Sequence, residues 1–98
     1  MIGKKLRPVL VLSSEELNSM SADLIVAKIS SFRHLPDFEV EITPNNLEYG
    51  KLKKTSYVHL HSIFTVEKNL VLKKVGRLKP EKVVEVKNVT KRVFNLED

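Results

Sequence analysis

Short apolar runs separated by turn residues fill the first part of the chain. Residues 8–12 and 24–29 are continuous and rich in β-branched side chains, which is typical of buried strands. Between them, residues 13–18 open with serines and glutamates, which suit the start of a single helical turn. Residues 38–42 alternate apolar and acidic side chains, which predicts a half-exposed strand. The pattern indicates β structure.

The middle of the chain predicts more short elements. Residues 43–50 are rich in turn residues and predict a loop. Residues 56–61 predict a fourth strand, with Ile63 as its furthest possible end, and residues 64–66 predict a fifth strand followed by a turn. Residues 70–75 fit a strand and a turn equally well.

The end of the chain predicts an amphipathic helix. Pro80 suits a first helical turn, and Glu81 near the start and Arg92 near the end complement the helix dipole. One apolar face recurs at three- and four-residue steps, comprising Val83, Val86, Val89 or Thr90, Val93 and Leu96. We therefore predict one domain over residues 1–98, mainly β, in which a small and partly open barrel is closed by a C-terminal α-helix.

Charge is unevenly distributed over the 98 residues. The net charge is +5, yet residues 1–50 hold five Lys/Arg against seven Asp/Glu, while residues 51–98 hold twelve against five. A basic half favours a polyanionic partner such as RNA or DNA, and a solvated lysine-rich surface is the alternative.

Composition excludes several other classes of protein. The chain has no cysteine, which excludes disulfide scaffolds and thiolate zinc sites. A secretory signal and a run long enough to cross a membrane are both missing, so a cytoplasmic protein without a membrane partner is expected. His59 and His61 would share one face of a strand, but no third ligand follows at a telling spacing, so we predict no metal and no cofactor.

Two dipeptides mark the ends of the first two predicted strands: Arg7-Pro8 opens the first and Ser30-Ser31 closes the second. Taken separately, neither is specific to one function. Together with what surrounds them they resemble the MazF/PemK family of toxin ribonucleases, with an Arg-Pro opening one strand and a hydroxyl residue near the end of the next. Segments in the same order as in that family are residues 6–13, 22–31, 38–42, 53–58, 63–68 and 73–78. The resemblance covers nearly the whole chain.

The resemblance implies an SH3-like, partly open barrel of the MazF/PemK/CcdB type that cleaves single-stranded RNA without metal. The ribose 2′-hydroxyl would attack the adjacent phosphorus, Arg7 would stabilise the phosphorane and Ser30 would bond the same oxygens. His59 or His61 would act as acid or base. The implied partners are RNA, a cognate antitoxin peptide and a second copy of the chain in a homodimer.

Basic and aromatic side chains are the residue types that grip single-stranded RNA. The candidates for such contacts are Phe32, Arg33, His34, Lys51, Lys53, Lys54, Tyr57 and Phe64, with Lys73 and Lys74 as further phosphate contacts. We expect Phe38 and Phe94 to lie in the core instead.

Three departures from the family pattern leave alternatives open. Only residues 1–5 precede the segment 6–13 that holds the Arg-Pro, so the family's first strand is expected to be missing. Ser30 stands where the family has threonine, and His59 and His61 stand where some members have an arginine and an aspartate. A missing strand would expose a sheet edge, which favours a dimer. It also fits a catalytically inactive module that binds RNA or antitoxin. A third reading is a transcription or gyrase interaction domain on the same barrel.

Overall fold

A computed structural model describes residues 6–96 of the chain. The expected absence of an N-terminal strand concerns residues 1–5 and lies outside the described residues. Within the described part the strands are β1 Val9–Val11, β2 Asp23–Ser30, β3 Glu39–Ile42, β4 Leu47–Gly50, β5 Ser56–Glu67 and β6 Gly76–Leu78, and the helices are α1 Glu15–Met20 and α2 Pro80–Phe94. Single 3-10 turns cover Pro36–Phe38, Pro44–Asn46 and Lys68–Leu70.

The strands form two antiparallel sheets. The larger has the order β1-β2-β5-β3, and the smaller pairs β4 with β6. The β2–β5 register shifts between Ala27, which faces Ile63, and Lys28, which faces His59, so residues 60–62 of β5 form a bulge. Bulges bend a strand and increase its twist, which curls this sheet into a half-barrel. The predicted mainly-β fold, a partly open barrel with a C-terminal helix, is confirmed.

The core lies between the larger sheet and α2. Val86 and Val89 of the helix pack with apolar side chains from one face of the strands, and the buried cluster comprises Ala27, Val40, Ile42, Val58, Leu60, Leu78, Val86 and Val89. The helix starts at Pro80 and ends at Asn95, which adopts the left-handed conformation with φ of 54°. No helix within residues 6–96 is long and apolar enough to cross a membrane.

Several sequence predictions for the second half are wrong in detail. Residues 47–50 are not loop but strand β4, and residues 64–66 are not a separate strand but the end of β5. Residues 71–75 follow a 3-10 turn without regular structure. Gly50, with φ of 97°, lies against β6, where an added Cβ would be 2.2 Å from the Val75 carbonyl oxygen. The close crossing of β4 and β6 therefore depends on glycine.

The two phenylalanines expected in the core lie outside it. Phe38 ends the 3-10 turn before β3 rather than starting the strand, and it is 37% exposed. Phe94 is the last residue of α2 and is 53% exposed. Phe38 precedes the strand whose alternation was expected to bury it, and Phe94 directly follows Val93, which packs against the core, so it points away from that face of the helix.

Candidate functional site

Polar residues cluster on the sheet face opposite α2. Directly paired residues of antiparallel strands share a face, and His59 of β5 pairs with Lys28 on one side and Glu39 on the other. Residues two positions apart on a strand also share a face. The next row on this face comprises Ser30, Tyr57 and Glu41. The face away from the core therefore carries a hydroxyl, a phenol, an imidazole and carboxylates side by side.

Arg7 is aligned with this face by the β1–β2 register. Val9 pairs with Lys28, and continuing this register by two residues places Arg7 opposite Ser30. The Arg7 side chain is exposed. The Ser30 Oγ accepts the backbone N–H of Phe32 at 3.1 Å, which leaves the hydroxyl proton free to be donated. Strand β1 itself begins at Val9, so Arg7 lies two residues before the paired register, on the side of the sheet where β2 ends at Ser30.

Glu39 is the centre of a buried polar cluster. Its side chain is fully buried. Its Oε2 accepts the backbone N–H of Leu35 at 2.7 Å and that of His34 at 3.1 Å. His61 Nε2 lies 2.8 Å from the same oxygen, and His59 Nε2 lies 3.5 Å from it. The carboxylate therefore anchors the segment between β2 and β3 to both strand histidines.

These contacts keep the Glu39 carboxylate charged. Burial by itself would raise the pKa of Glu39. The Leu35 N–H, the His61 imidazole, the His34 N–H and the charge of His59 together outweigh burial and hold the pKa of Glu39 below its usual value. The buried group is an anion surrounded by donors.

The two strand histidines differ in accessibility. Their rings stack with centroids 4.9 Å apart at an interplanar angle of 28°. The His59 side chain is only 5% exposed, and its Nε2 donates to the Phe32 carbonyl oxygen at 2.9 Å. The His61 side chain is 19% exposed. His61 is therefore the member of the pair that a solute can reach.

Glu39 was missed by sequence reasoning. The sequence shows no third ligand or partner near His59 and His61, because Glu39 is distant along the chain. The fold supplies it by pairing β3 with β5, which puts Glu39 directly opposite His59. The sequence shows the alternating acidic residues at 39 and 41 and the two histidines. It does not show the strand register that brings Glu39 and His59 together.

The candidate RNA-contacting aromatics divide into two groups. Tyr57 lies under Arg33, whose guanidinium carbon is 4.9 Å from the ring centroid. The neighbouring Phe32 is 77% exposed. Phe64 is 42% exposed but pairs with Val26 beyond the β5 bulge. The fold brings Phe32, Arg33 and Tyr57 together with His59 and leaves Phe64 further along the face.

The candidate lysines meet at one end of β5. The exposed Lys51, Lys53 and Lys54 occupy the segment that leads into β5 at Ser56. The Lys51 N–H donates to the Val75 carbonyl oxygen at 3.3 Å, which joins this segment to the one that carries Lys73 and Lys74. We call the lysines at positions 51, 53, 54, 73 and 74 the basic edge. The charge asymmetry of the sequence is thus concentrated beside the start of β5.

Within residues 6–96 the candidate site lies on one face of the larger sheet, where Phe32 is 77% exposed. Two shallow depressions lie elsewhere, one lined by Ala22, Asp23, Glu67, Lys68 and Asn69 and the other by Leu12, Val86, Lys87, Thr90 and Lys91. None of the sequence-predicted site residues lines either depression. Small molecules are usually bound in concave, mostly apolar pockets, so an open polar face fits an extended chain better.

Comparison with known proteins gives a consistent family and fold. Residues 2–94 match the family of PemK-like, MazF-like toxins of type II toxin–antitoxin systems. The structure is similar to the Mycobacterium tuberculosis toxin MazF-mt6, with a TM-score of 0.81 and 22% identity over 94% of this chain and 89% of that chain. It is also similar to an endoribonuclease in complex with its cognate antitoxin from Mycobacterial species, with a TM-score of 0.83 and 19% identity over 100% of this chain and 89% of that one. A MazE–MazF structure from Deinococcus radiodurans matches with a TM-score of 0.72 and 17% identity over 93% and 87% of the two chains. No curated protein matches the chain.

Proposed function

Because the chain belongs to the family of PemK-like, MazF-like toxins of type II toxin–antitoxin systems, we propose that it is a toxin endoribonuclease that cleaves single-stranded RNA without a metal cofactor. The observation that carries this proposal is that the His61 ring stacks on His59, whose strand neighbour Tyr57 pairs with Ser30 on the same sheet face, while Arg7 immediately precedes the strand that pairs with this part of β2. Transesterification of RNA requires a group that accepts the 2′ proton, a group that protonates the leaving oxygen and a donor or cation that stabilises the phosphorane, and imidazoles, a hydroxyl and an arginine suit these roles.

In the proposed reaction the RNA supplies its own nucleophile. The 2′-hydroxyl loses its proton and the 2′-oxygen attacks the adjacent phosphorus. The bond from phosphorus to the 5′-oxygen breaks and the leaving 5′-oxygen takes up a proton, so the products are a 2′,3′-cyclic phosphate and a free 5′-hydroxyl. Arg7 stabilises the extra negative charge on the phosphorane, because a guanidinium stays charged and can bond two phosphate oxygens. Ser30 donates its hydroxyl proton to the same oxygens.

We assign proton transfer to His61 rather than His59. Its Nε2 faces Glu39, so Nδ1 is the nitrogen left for the substrate. With Nε2 as the donor to the carboxylate, Nδ1 of the neutral ring is an acceptor, and this suits the removal of the 2′ proton. Glu39 stabilises the imidazolium that results, and this imidazolium then gives its proton to the leaving 5′-oxygen. His59, which is nearly buried, supports the His61 ring from its stacked face.

The proposed RNA path runs from the basic edge across Tyr57 to His61. The lysines would neutralise backbone phosphates, and Phe32 would offer an exposed ring on which a base can stack. Arg33 already lies over Tyr57 and would meet the RNA as a stacked cation. His34, whose ring centroid is 6.0 Å from that of His61, would be a further contact for the RNA.

We also propose a cytoplasmic protein that is inhibited by a cognate antitoxin peptide. One of the similar solved endoribonucleases is in complex with its cognate antitoxin. The positive net charge of +5 favours an acidic peptide partner.

We expect the chain to form a homodimer. Within residues 6–96 the larger sheet ends at β1 and β3, and β1 pairs only with β2. Near this edge Val11, Leu17 and Phe64 are 45%, 43% and 42% exposed. Burial of an apolar edge against a second copy removes that surface from water. Sedimentation equilibrium at micromolar concentration should give the dimer mass, whereas a clean monomer would contradict the prediction.

The activity itself is tested with purified protein and a long single-stranded RNA in excess EDTA. We expect cleavage at a limited number of positions, with no loss when the chelator is added. If EDTA stops the reaction, the metal-free mechanism is wrong. RNA that is bound but never cut would instead identify the chain as an inactive binding module.

A further inference from the structure

Three ligand atoms of different residues converge beneath the proposed site. A carboxylate oxygen of Glu39 and one ring nitrogen each of His59 and His61 all lie within 4.8 Å of one another. His61 Nε2 is 2.8 Å and His59 Nε2 is 3.5 Å from Glu39 Oε2. Zinc bonds nitrogen and oxygen at about 2.0–2.1 Å, so tetrahedral ligand atoms stand about 3.3 Å apart. Small side-chain shifts would bring the three atoms to that spacing.

We propose that Glu39, His59 and His61 form a binding site for a divalent transition-metal ion of the Zn²⁺ type. Two imidazoles and one carboxylate are a common set of zinc ligands that leaves a further position open. Mg²⁺ and Ca²⁺ prefer oxygen ligands throughout, and this site offers only one oxygen donor among its three side chains.

The site is held in place by its surroundings. The backbone N–H groups of His34 and Leu35 donate to the Glu39 carboxylate and fix its orientation, as outer partners of metal ligands commonly do. The rings of His59 and His61 stack, and although His59 Nε2 donates to the Phe32 carbonyl oxygen, both Nε2 atoms lie within 3.5 Å of Glu39 Oε2. The 19% exposure of the His61 side chain gives an ion a path from solvent.

Metal binding would change the hydrogen bonding of both histidines. Nε2 of His61 now faces Glu39, and Nε2 of His59 faces the Phe32 carbonyl oxygen. An ion at Nε2 replaces these hydrogen bonds and leaves the proton of each neutral ring on Nδ1. Nδ1 of His61 then has no lone pair to accept the 2′ proton of RNA. Zinc therefore inhibits cleavage. This inhibition rests on the proposed function, but the binding of zinc is independent of that function.

Binding is measured without RNA, by equilibrium dialysis of the metal-stripped protein against zinc chloride. The wild-type chain should bind one zinc ion per protomer in the presence of excess Mg²⁺. His61→Gln should weaken zinc binding by at least ~10–100-fold, because loss of a residue that only hydrogen-bonds a metal ligand already has an effect of this size. The matched control is His34→Gln, which removes a nearby histidine but none of the three ligands and should bind as the wild type does. No bound zinc, or equal binding by His61→Gln, would overturn the proposal.

A second measurement keeps the test independent of how the variant folds. The wild-type protein is titrated with Co²⁺, whose visible absorption reports coordination by nitrogen and oxygen ligands. Absence of these bands would overturn the site even if His61→Gln were unfolded. In the RNA assay, saturating zinc should stop cleavage and EDTA should restore it. Zinc that binds while cleavage continues would overturn the inhibition, and protein that binds zinc but never cuts RNA would refute only the proposed function.

Discussion

Replacing Arg7 with alanine is expected to lower the rate of RNA cleavage by about 10²–10³-fold, the usual cost of losing one group that stabilises charge in a transition state. Arg7 is exposed and lies two residues before β1, and extending the Val9–Lys28 register by two residues would bring it opposite Ser30. Arg7→Lys should recover only part of the activity, because an ammonium cannot bond two phosphate oxygens in the guanidinium geometry. Initial rates on one RNA, measured with each variant, give the comparison.

The matched control for this substitution is Arg77→Ala. Arg77 is an exposed arginine of the smaller sheet, 3.5 Å from Glu15, and it has no proposed role in the reaction. Arg77→Ala removes the same charge as Arg7→Ala, but Arg77 attracts RNA only through a non-specific interaction that salt screens. The cleavage rate should therefore change by less than about three-fold. Both variants should unfold at the wild-type temperature. Equal losses in the two variants, or full activity of Arg7→Ala, would show that Arg7 has no specific part in catalysis.

Replacing Glu39 with alanine is expected to destabilise the fold by about 3–5 kcal/mol, the usual cost of removing one partner from a buried charged network. The change leaves the N–H groups of His34 and Leu35 and the Nε2 of His61 without their acceptor in a buried site. The segment between β2 and β3 should then lose its anchor to β5. Urea unfolding of wild type and variant measures the difference.

Glu41→Ala provides the control for Glu39. Glu41 lies two residues along the same strand and is exposed, and its backbone carbonyl, which accepts Lys82 Nζ at 2.8 Å, is retained in the variant. Its substitution should change the free energy of unfolding by no more than about 0.5 kcal/mol. If the two alanine variants were equally stable, the Glu39 cluster would not be the anchor that the geometry indicates.

Local patterns predicted the parts of the fold that depend on local sequence. The β-branched runs became β1 and β2, and the apolar face after Pro80 became α2. Strands β4 and β6 were missed because each is short, four and three residues, and forms by pairing with a partner that is distant along the chain. Gly50, which resembles a turn residue in the sequence, is needed there because the backbone of β6 comes so close.

The candidate site was predictable in its residue types but not in its geometry. Two histidines on one strand face follow from their spacing, and the Arg7–Ser30 relation follows from the family resemblance. The pairing of Glu39 with His59 depends on the register between β3 and β5, which are separated by the whole β4 segment. A long-range register has no local signal, so the residue that organises the histidines came only from the structure.

The central claim is that the RNA's own 2′-hydroxyl is the nucleophile on this sheet face, and the ends of the products test it most directly. After cleavage in EDTA, the new 3′ and 5′ ends are identified by mass spectrometry of the fragments. The proposed chemistry predicts 2′,3′-cyclic phosphate and 5′-hydroxyl ends. Fragments that carry 3′-hydroxyl and 5′-phosphate ends would mean that water was the nucleophile and would contradict it.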